Sequence, residues 1–265
     1  MKVNLHTHTH RCGHASGSER EYIERAIEGG LTDLGFSEHA PFVFPDGTES
    51  NYRIPMAEAE IYMDTLRSLR EEYKTDIKIH IGFEMEYYPL YFKDMLNTVN
   101  SLGAEYLLLG QHYVDNEYPP QVPYTGVPNL LEEKLSLYVD TVIEGIESGV
   151  FSYVAHPDVF NFVGEDEIYE KHMRKLCKSA VAHDIPLEIN LLGCRSYRMY
   201  PNKFFWKIAG EEGNSVVFGF DSHTAKDAYD EASIPVAKWL AKRYDLKVID
   251  YPMLVDPKTK KRFEI

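Results

Sequence analysis

Residues 3–39 read VNLHTHTHRCGHASGSEREYIERAIEGGLTDLGFSEH. A short β-type run (3–6) meets a cluster of histidines at positions 6, 8, 10 and 14. A helix-like segment then starts after Ser18 and closes at Gly29-Gly30. A second β-type run, DLGFSEH (33–39), ends again in a histidine. The alternation of a short apolar run with a longer segment of helical period reads as strand, helix, strand.

The same unit recurs along the chain. Further strand candidates are IKIHIGFEME (77–86), YLLLGQHYV (106–114), FSYVAHP (151–157), PLEIN (186–190) and VVFGFDSH (216–223). Helix-like stretches fall at roughly 18–29, 56–74, 89–101, 130–148, 165–183, 202–213 and 224–243. Seven strand-and-helix repeats without a long linker predict one parallel α/β domain over residues 1–265, either a barrel or a doubly wound sheet. Two proline- and tyrosine-rich loops, 41–55 and 115–128, are long enough to serve function. The C-terminal VIDYPMLVDPKTKKRFEI can add an edge strand, with KTKKR as a solvated charge run.

Composition sets the outer bounds. The chain has 265 residues, 44% hydrophobic and 26% charged, an ordinary globular balance. Its net charge of −14 disfavours general binding to nucleic-acid phosphates. No apolar run reaches the ~20 residues of a membrane span, and MKVNLHTH lacks a signal-peptide core, so a cytoplasmic location is expected. Three cysteines (Cys12, Cys177, Cys194) without CxxC spacing argue against a disulfide framework and against a cysteine-type zinc knuckle. The sequence specifies no oligomeric state.

The ends of the strands explain the histidines. The first run ends in His6-Thr7-His8, the second in Glu38-His39, the third in Glu84-Met85-Glu86, the fourth in Gln111-His112, the fifth in His156-Pro157-Asp158, and the seventh in Asp221-Ser222-His223. This is the end at which α/β barrels build active sites. In an extended strand residues i and i+2 share a face, so His6 and His8 project together, as do Asp221 and His223. Imidazole and carboxylate without thiolate suit divalent Zn, Fe or Mn. Six histidines at the strand ends, with Asp221, Glu84 and His14, give nine ligands, enough for two or three ions. One HxH pair alone is a weak signal, but a bland reading would have to be invoked separately at six strand ends. A histidine tag would not recruit partners from other strands.

Other residues take quieter roles. His80 reads as a packed strand histidine, and His172 and His183 as surface or capping groups. His10 and Glu86 are expected to support ligands rather than to ligate; Cys12 and Cys194 act as small hydrophobes, and FFW (204–206) belongs to the core. The sixth strand ends in Asn190 and runs into LLGCRSYRMYPN, read as a loop that places Arg195 and Arg198 on the ligand-bearing face. Arginine suits bidentate contact with phosphate oxygens.

In this order and spacing, HTHTHRCGHASG, FSEHAP, GFEMEYYP, LGQHYV, VAHPD and GFDSH resemble the motifs of the polymerase and histidinol phosphatase (PHP) superfamily. The resemblance covers nearly the whole chain and is strongest to the monofunctional histidinol-phosphate phosphatases. It implies a distorted (βα)7 TIM-like barrel with a trinuclear metal centre. Carried over by position, it implies His6, His8, Glu84 and Asp221 around one ion, Glu84 bridging to a second with His112 and His156, and His14, His39 and His223 around a third. It further implies a basic loop after the sixth strand that helps to hold phosphate, which matches Arg195 and Arg198. Two motifs depart from the pattern: GQH replaces an SVH-type sequence before the fourth-strand histidine, and HRCGH is an uncommon form of the first loop.

The expected reaction is hydrolysis of a small phosphomonoester, L-histidinol phosphate in histidine biosynthesis, by a hydroxide bridging two ions. Glu84, Asp221 and His223 are the residues on which catalysis should turn. Neither a DxDxT nucleophile nor a GxxxxGK[ST] loop is present to support a phospho-enzyme or a nucleotide-driven route. Proton delivery to the leaving group falls to water or to a nearby acid such as Asp158. Glu38, Asp115 and Tyr124 are candidates for the substrate amine. The alternatives are a phosphoesterase for a nucleoside monophosphate or an oligonucleotide, and an amidohydrolase. The glutamate at strand three and the closing Asp221-x-His223 favour the phosphoesterase over the amidohydrolase.

Overall fold

The computed structural model describes residues 1–118 and 123–265. Four positions of the 115–128 loop, 119–122, therefore lie outside the described residues. Eight parallel strands form one sheet in sequence order: β1 (Val3–Asn4), β2 (Asp33–His39), β3 (Lys78–Met85), β4 (Tyr106–Leu109), β5 (Tyr153–Val154), β6 (Leu187–Asn190), β7 (Ser215–Gly219) and β8 (Lys247–Val248). The helices are α1 (Glu19–Glu28), α2 (Met56–Glu72), α3 (Phe92–Leu102), α4 (Glu132–Ser148), α5 (Asp166–Ala182), α6 (Leu191–Arg195), α7 (Lys203–Glu212) and α8 (Ile234–Arg243). The fold is an α/β TIM-like barrel, the one of the two parallel α/β architectures left open by the alternation of elements that the family resemblance implies.

Strands β1 to β7 are largely buried on both faces, which accounts for their near-continuous apolar runs, whereas both residues of β8 are exposed. The helices bury an amphipathic stripe against them. Helix α1 shows how local sequence sets the boundaries: Ser18 and Glu21 form a reciprocal cap at its start. Helices α3, α4 and α7 each end on a left-handed glycine, Gly103, Gly149 and Gly213. A second apolar cluster of Val3, Leu5, Tyr106, Leu108, Tyr153, Val217 and Leu254 packs on the strands N-terminal to the ligand-bearing ends.

The eighth strand comes from the C-terminal segment and pairs with the start of β7 (Ser215↔Lys247). Beyond the end of β7, Ser222 bridges in parallel to Thr7 after β1, with His8 N–H donating to Ser222 O (3.0 Å) and Ser222 N–H to His6 O (3.3 Å). One edge of the seventh strand thus serves two neighbours, and the HTH and DSH motifs lie side by side. An antiparallel pair, β9 (Leu254–Val255) and β10 (Arg262–Phe263), follows, with the exposed lysines of KTKKR in its turn. The segment 191–195, read as loop, is a short helix capped by the Asn190 side chain. No helix among the described residues is long and apolar enough to cross a membrane.

Candidate metal centre

The parallel register brings the ligand-type residues together. His39 on β2 lies directly across from Glu84 on β3. His112 and His156 follow β4 and β5 by a few residues, and the β1–β7 bridge sets His6 and His8 beside Asp221 and His223. All nine predicted ligands meet at one end of the barrel. Glu84 sits centrally: its Oε1 is 2.8 Å from His156 Nε2 and 3.5 Å from His112 Nε2, and its Oε2 is 3.2 Å from His39 Nδ1 and 3.5 Å from Nε2 of both His6 and His8. Asp221 Oδ1 is 3.3 Å from His8 Nε2 and 3.7 Å from His6 Nε2. At the rim, His14 Nε2 and His223 Nε2 are 3.1 Å apart.

Six of these buried atoms have no hydrogen-bond partner: His6 Nε2, His8 Nε2, His39 Nδ1, His156 Nδ1, Glu84 Oε2 and Asp221 Oδ1. Buried polar atoms are nearly always paired, and leaving one unpaired costs about 1–3 kcal/mol. Five of them, on His6, His8, His39, Glu84 and Asp221, face one another, and such a group of orphaned nitrogens and carboxylate oxygens is the donor set that divalent cations satisfy, while His156 turns its Nε2 to Glu84. Several triads, including His6–His8–Asp221, His6–Glu84–His156 and His39–Glu84–His112, bring ligand atoms within 4.8 Å of one another.

A ring of carboxylates orients the imidazoles. His6 Nδ1 donates to Glu188 (2.8 Å), His8 Nδ1 to Glu38 (3.2 Å) and His112 Nδ1 to Glu86 (2.7 Å), which presents each Nε2 to the centre. Glu188 also accepts from the backbone N–H of His156 (3.1 Å). Two glycines make room for these acids. A Cβ at Gly110 would lie 1.9 Å from Glu84 Oε1, and one at Gly219 would lie 1.7 Å from Glu188 Oε1.

Charge follows from this packing. Burial opposes ionisation of Glu84 and Asp221, but the surrounding histidines hold both carboxyls well below the usual range. Glu38 is likewise held at about 2 against its burial, chiefly by His8. Burial also disfavours a charged His8, yet Asp221 and Glu38 raise it to about 9, whereas burial and the nearby His8 push His223 down to about 3.

A cleft of about 610 Å³ opens over the centre, lined by seven of the nine predicted ligands together with Tyr52, Tyr113, Tyr124, Leu192, Tyr200 and Arg198. Arg198 is the one arginine or lysine among the described lining residues. Arg195 does not join it. Its guanidinium donates to the backbone oxygens of Phe220 and Asp221, because α6 turns the side chain toward β7 and away from the cleft. Asp158 is also outside the cleft, fully buried and accepting from Asn202 N–H (2.6 Å), so it is not placed to protonate a leaving group. Asp115 is exposed and pairs with Lys134, and Glu38 lies behind His8, which leaves Tyr124 as the one amine candidate that faces the cleft. His80, His172 and His183 bond to Asp33, Glu132 and Ser179, remote from the centre. His10 is exposed, and Cys12 Sγ donates to Thr9 O.

Sequence reading missed three supports. Glu188 lies mid-strand in an apolar run, where its acidity was the available signal. Arg53 and Glu117 come from the two long loops and pair in the interior (2.5 Å), with Arg53 also bonded to Glu86 behind His112.

A family model described as PHP domain matches residues 4–191. The chain belongs to the PHP family. Among curated proteins it is 25% identical to a probable histidinol-phosphatase of Deinococcus radiodurans, covering 82% of this chain and 85% of that protein. It is also 25% identical to the histidinol-phosphatase of Lactococcus lactis, covering 91% of each. Among solved structures, histidinol phosphate phosphatase from Lactococcus lactis, complexed with zinc, L-histidinol and phosphate, superposes with a TM-score of 0.72 at 21% identity over 99% of this chain and 98% of that one. The histidinol phosphatase described as putative from Listeria monocytogenes gives 0.70 at 22% identity, over 85% and 97%. These two likenesses show the fold shared with those barrels.

Proposed function

We propose that the chain is a phosphoric monoester hydrolase that converts L-histidinol phosphate to L-histidinol and phosphate at a trinuclear centre. The observation that carries this reading is the set of unpartnered ligand atoms on His6, His8, His39, Glu84 and Asp221 beneath a cleft with one arginine among its described lining residues. The names of the curated relatives supply the substrate. In this reading His6, His8, Glu84 and Asp221 hold one ion, Glu84, His112 and His156 a second, and His14, His39 and His223 a third. Zinc, manganese or iron bound there would supply Lewis acidity toward phosphoryl oxygens and lower the pKa of water.

The side chains do the rest. Ionised Glu84 and Asp221 would repel a phosphate dianion in the absence of cations, so the cleft admits its substrate as a charge-balanced assembly. Arg198, whose guanidinium donates to Tyr200 OH (3.3 Å) and lines the cleft, meets the phosphoryl oxygens. Burial disfavours its charge, but Tyr200, Tyr124 and Asp221 hold its pKa above the ordinary value, so it stays cationic. Tyr52, Tyr113 and Tyr124 give the remainder of the substrate an aromatic wall with hydroxyl groups.

The test is release of inorganic phosphate by zinc- or manganese-reconstituted protein from histidinol phosphate, nucleoside monophosphates, sugar phosphates and a phosphodiester. A strong preference for histidinol phosphate is expected. Turnover of the others with none on histidinol phosphate would leave the centre in place and discard the substrate.

A further inference from the structure

The side chain of Arg195 makes an unusual set of contacts for a cation so near a phosphate-sized cleft. One terminal nitrogen donates to Phe220 O (2.6 Å) and the other to Asp221 O (2.6 Å). Its Nε lies 3.4 Å from Asp227, and Asp230 is 3.8 Å away, so two acids from the segment after β7 hold the guanidinium in place. In an extended strand successive carbonyls point to opposite sides. Both can face one planar fork only where the chain turns, and it turns at Asp221, whose φ is +48°. The same turn sends the carboxylate inward: Oδ2 accepts from Asn190 (3.0 Å), and the unpartnered Oδ1 faces His6 and His8.

We propose that Arg195 is a positioning residue for the ion centre: by gripping the carbonyls of Phe220 and Asp221, it selects the left-handed turn that aims the Asp221 carboxylate at its ion. This rests on the reading of the cleft as an ion centre. Arg195 and Arg198, three residues apart, then divide the work: the first shapes a ligand from behind, and the second faces the substrate.

The experiment is zinc titration of chelator-stripped protein against a chromophoric competitor, for wild type, Arg195→Gln, Arg195→Lys, Asp221→Asn and the Arg195→Gln/Asp221→Asn double variant. Arg195→Gln is expected to weaken zinc affinity about 10–100-fold. Arg195→Lys, which keeps the charge and one carbonyl bond, should fall between it and wild type, and it carries the test if the glutamine variant folds poorly. In the Asp221→Asn background the glutamine change should cost nothing further, because the two act as one unit. Inhibition of turnover by inorganic phosphate should be unchanged in Arg195→Gln. Wild-type zinc affinity in both Arg195 variants, or lost phosphate inhibition with zinc affinity intact, would overturn the assignment. A wild-type protein that takes up no zinc would overturn the ion centre itself, and this role with it.

Discussion

The two sides of the proposed centre place their candidate ligands by different means. On the β2–β3 side the strands run to the ligands: β2 ends at His39, β3 ends one residue past Glu84, and sheet register sets the two side by side. On the β5–β7 side the strands stop short, at Val154 and Gly219, and the ligands His156 and Asp221 occupy left-handed backbone with φ of +30° and +48°. Such conformations cost about 1–3 kcal/mol each and persist where the surroundings enforce them. The enforcers are Glu188 on the His156 N–H, Asn190 on the Asp221 carboxylate and Arg195 on the Asp221 carbonyl. A ladder of backbone bonds does on one side what individual side chains do on the other.

Glu84 belongs to the ladder side but reaches the other, with Oε1 against His156 and Oε2 against His6, His8 and His39. Glu84→Ala is therefore the largest expected lesion: loss of more than one ion by elemental analysis and a fall in turnover on the order of 10³-fold. Full ion content with near-normal turnover would remove Glu84 from the centre.

The same contrast governs what the sequence reveals. That the strand-borne His and Glu side chains meet is legible, because a strand pattern ending in His or Glu names both the element and its end. Asp221 and His156 were legible as residue types, while their backbone conformation was not, since it arises from contacts with β6 that no local pattern encodes. Arg195 and Arg198 looked alike in LLGCRSYRMYPN, and only the turn of α6 separates them. Seven strands are legible, and the C-terminal segment offers no more than a possible edge strand, because the two exposed residues of β8, Lys247 and Val248, carry no apolar alternation.

Glu188→Ala sharpens the comparison. It frees His6 Nδ1 and removes the bond that holds the His156 backbone, so one change disturbs two ligands. Ion affinity should fall about 10–100-fold. An effect confined to His6, visible as an unperturbed His156 imidazole resonance in the NMR spectrum of the zinc-loaded protein, would mean that the left-handed turn needs no such support.

Chelation tests the charge balance of the proposed centre. His8 titrates near 6.5 when unfolded and near 9 in the folded, ion-free protein, raised by Asp221 and Glu38 against its burial. The folded state binds the extra proton between these values, so its contribution is fully present below about pH 6.5 and is lost as pH rises toward 9. Chelated protein should thus show a melting temperature that falls across that window, and zinc uptake near pH 7.5 should release protons. A flat melting profile over pH 6.5–9, with no proton release, would mean that His8 is neutral before the ion arrives.

The smallest effect is expected at Asp158, two residues beyond His156. Its burial pushes the carboxyl up to about 7, a value that suits a proton donor, but geometry assigns it other work. Its Oδ2 accepts from Asn202 N–H just before α7, and its side chain is sealed from the cleft. An amide oxygen can accept the same bond, so Asp158→Asn should change stability by about 1 kcal/mol and leave kcat/KM within about threefold of wild type, less than the tenfold that 1.4 kcal/mol would produce. A loss of 100-fold with an altered alkaline or acid limb of the pH–rate profile would instead make Asp158 the acid. It would also show that a group the β5–β7 side holds out of view in the resting chain reaches the cleft during turnover. Near-normal rates would confine the chemistry to the ring of ligands and the arginine above it.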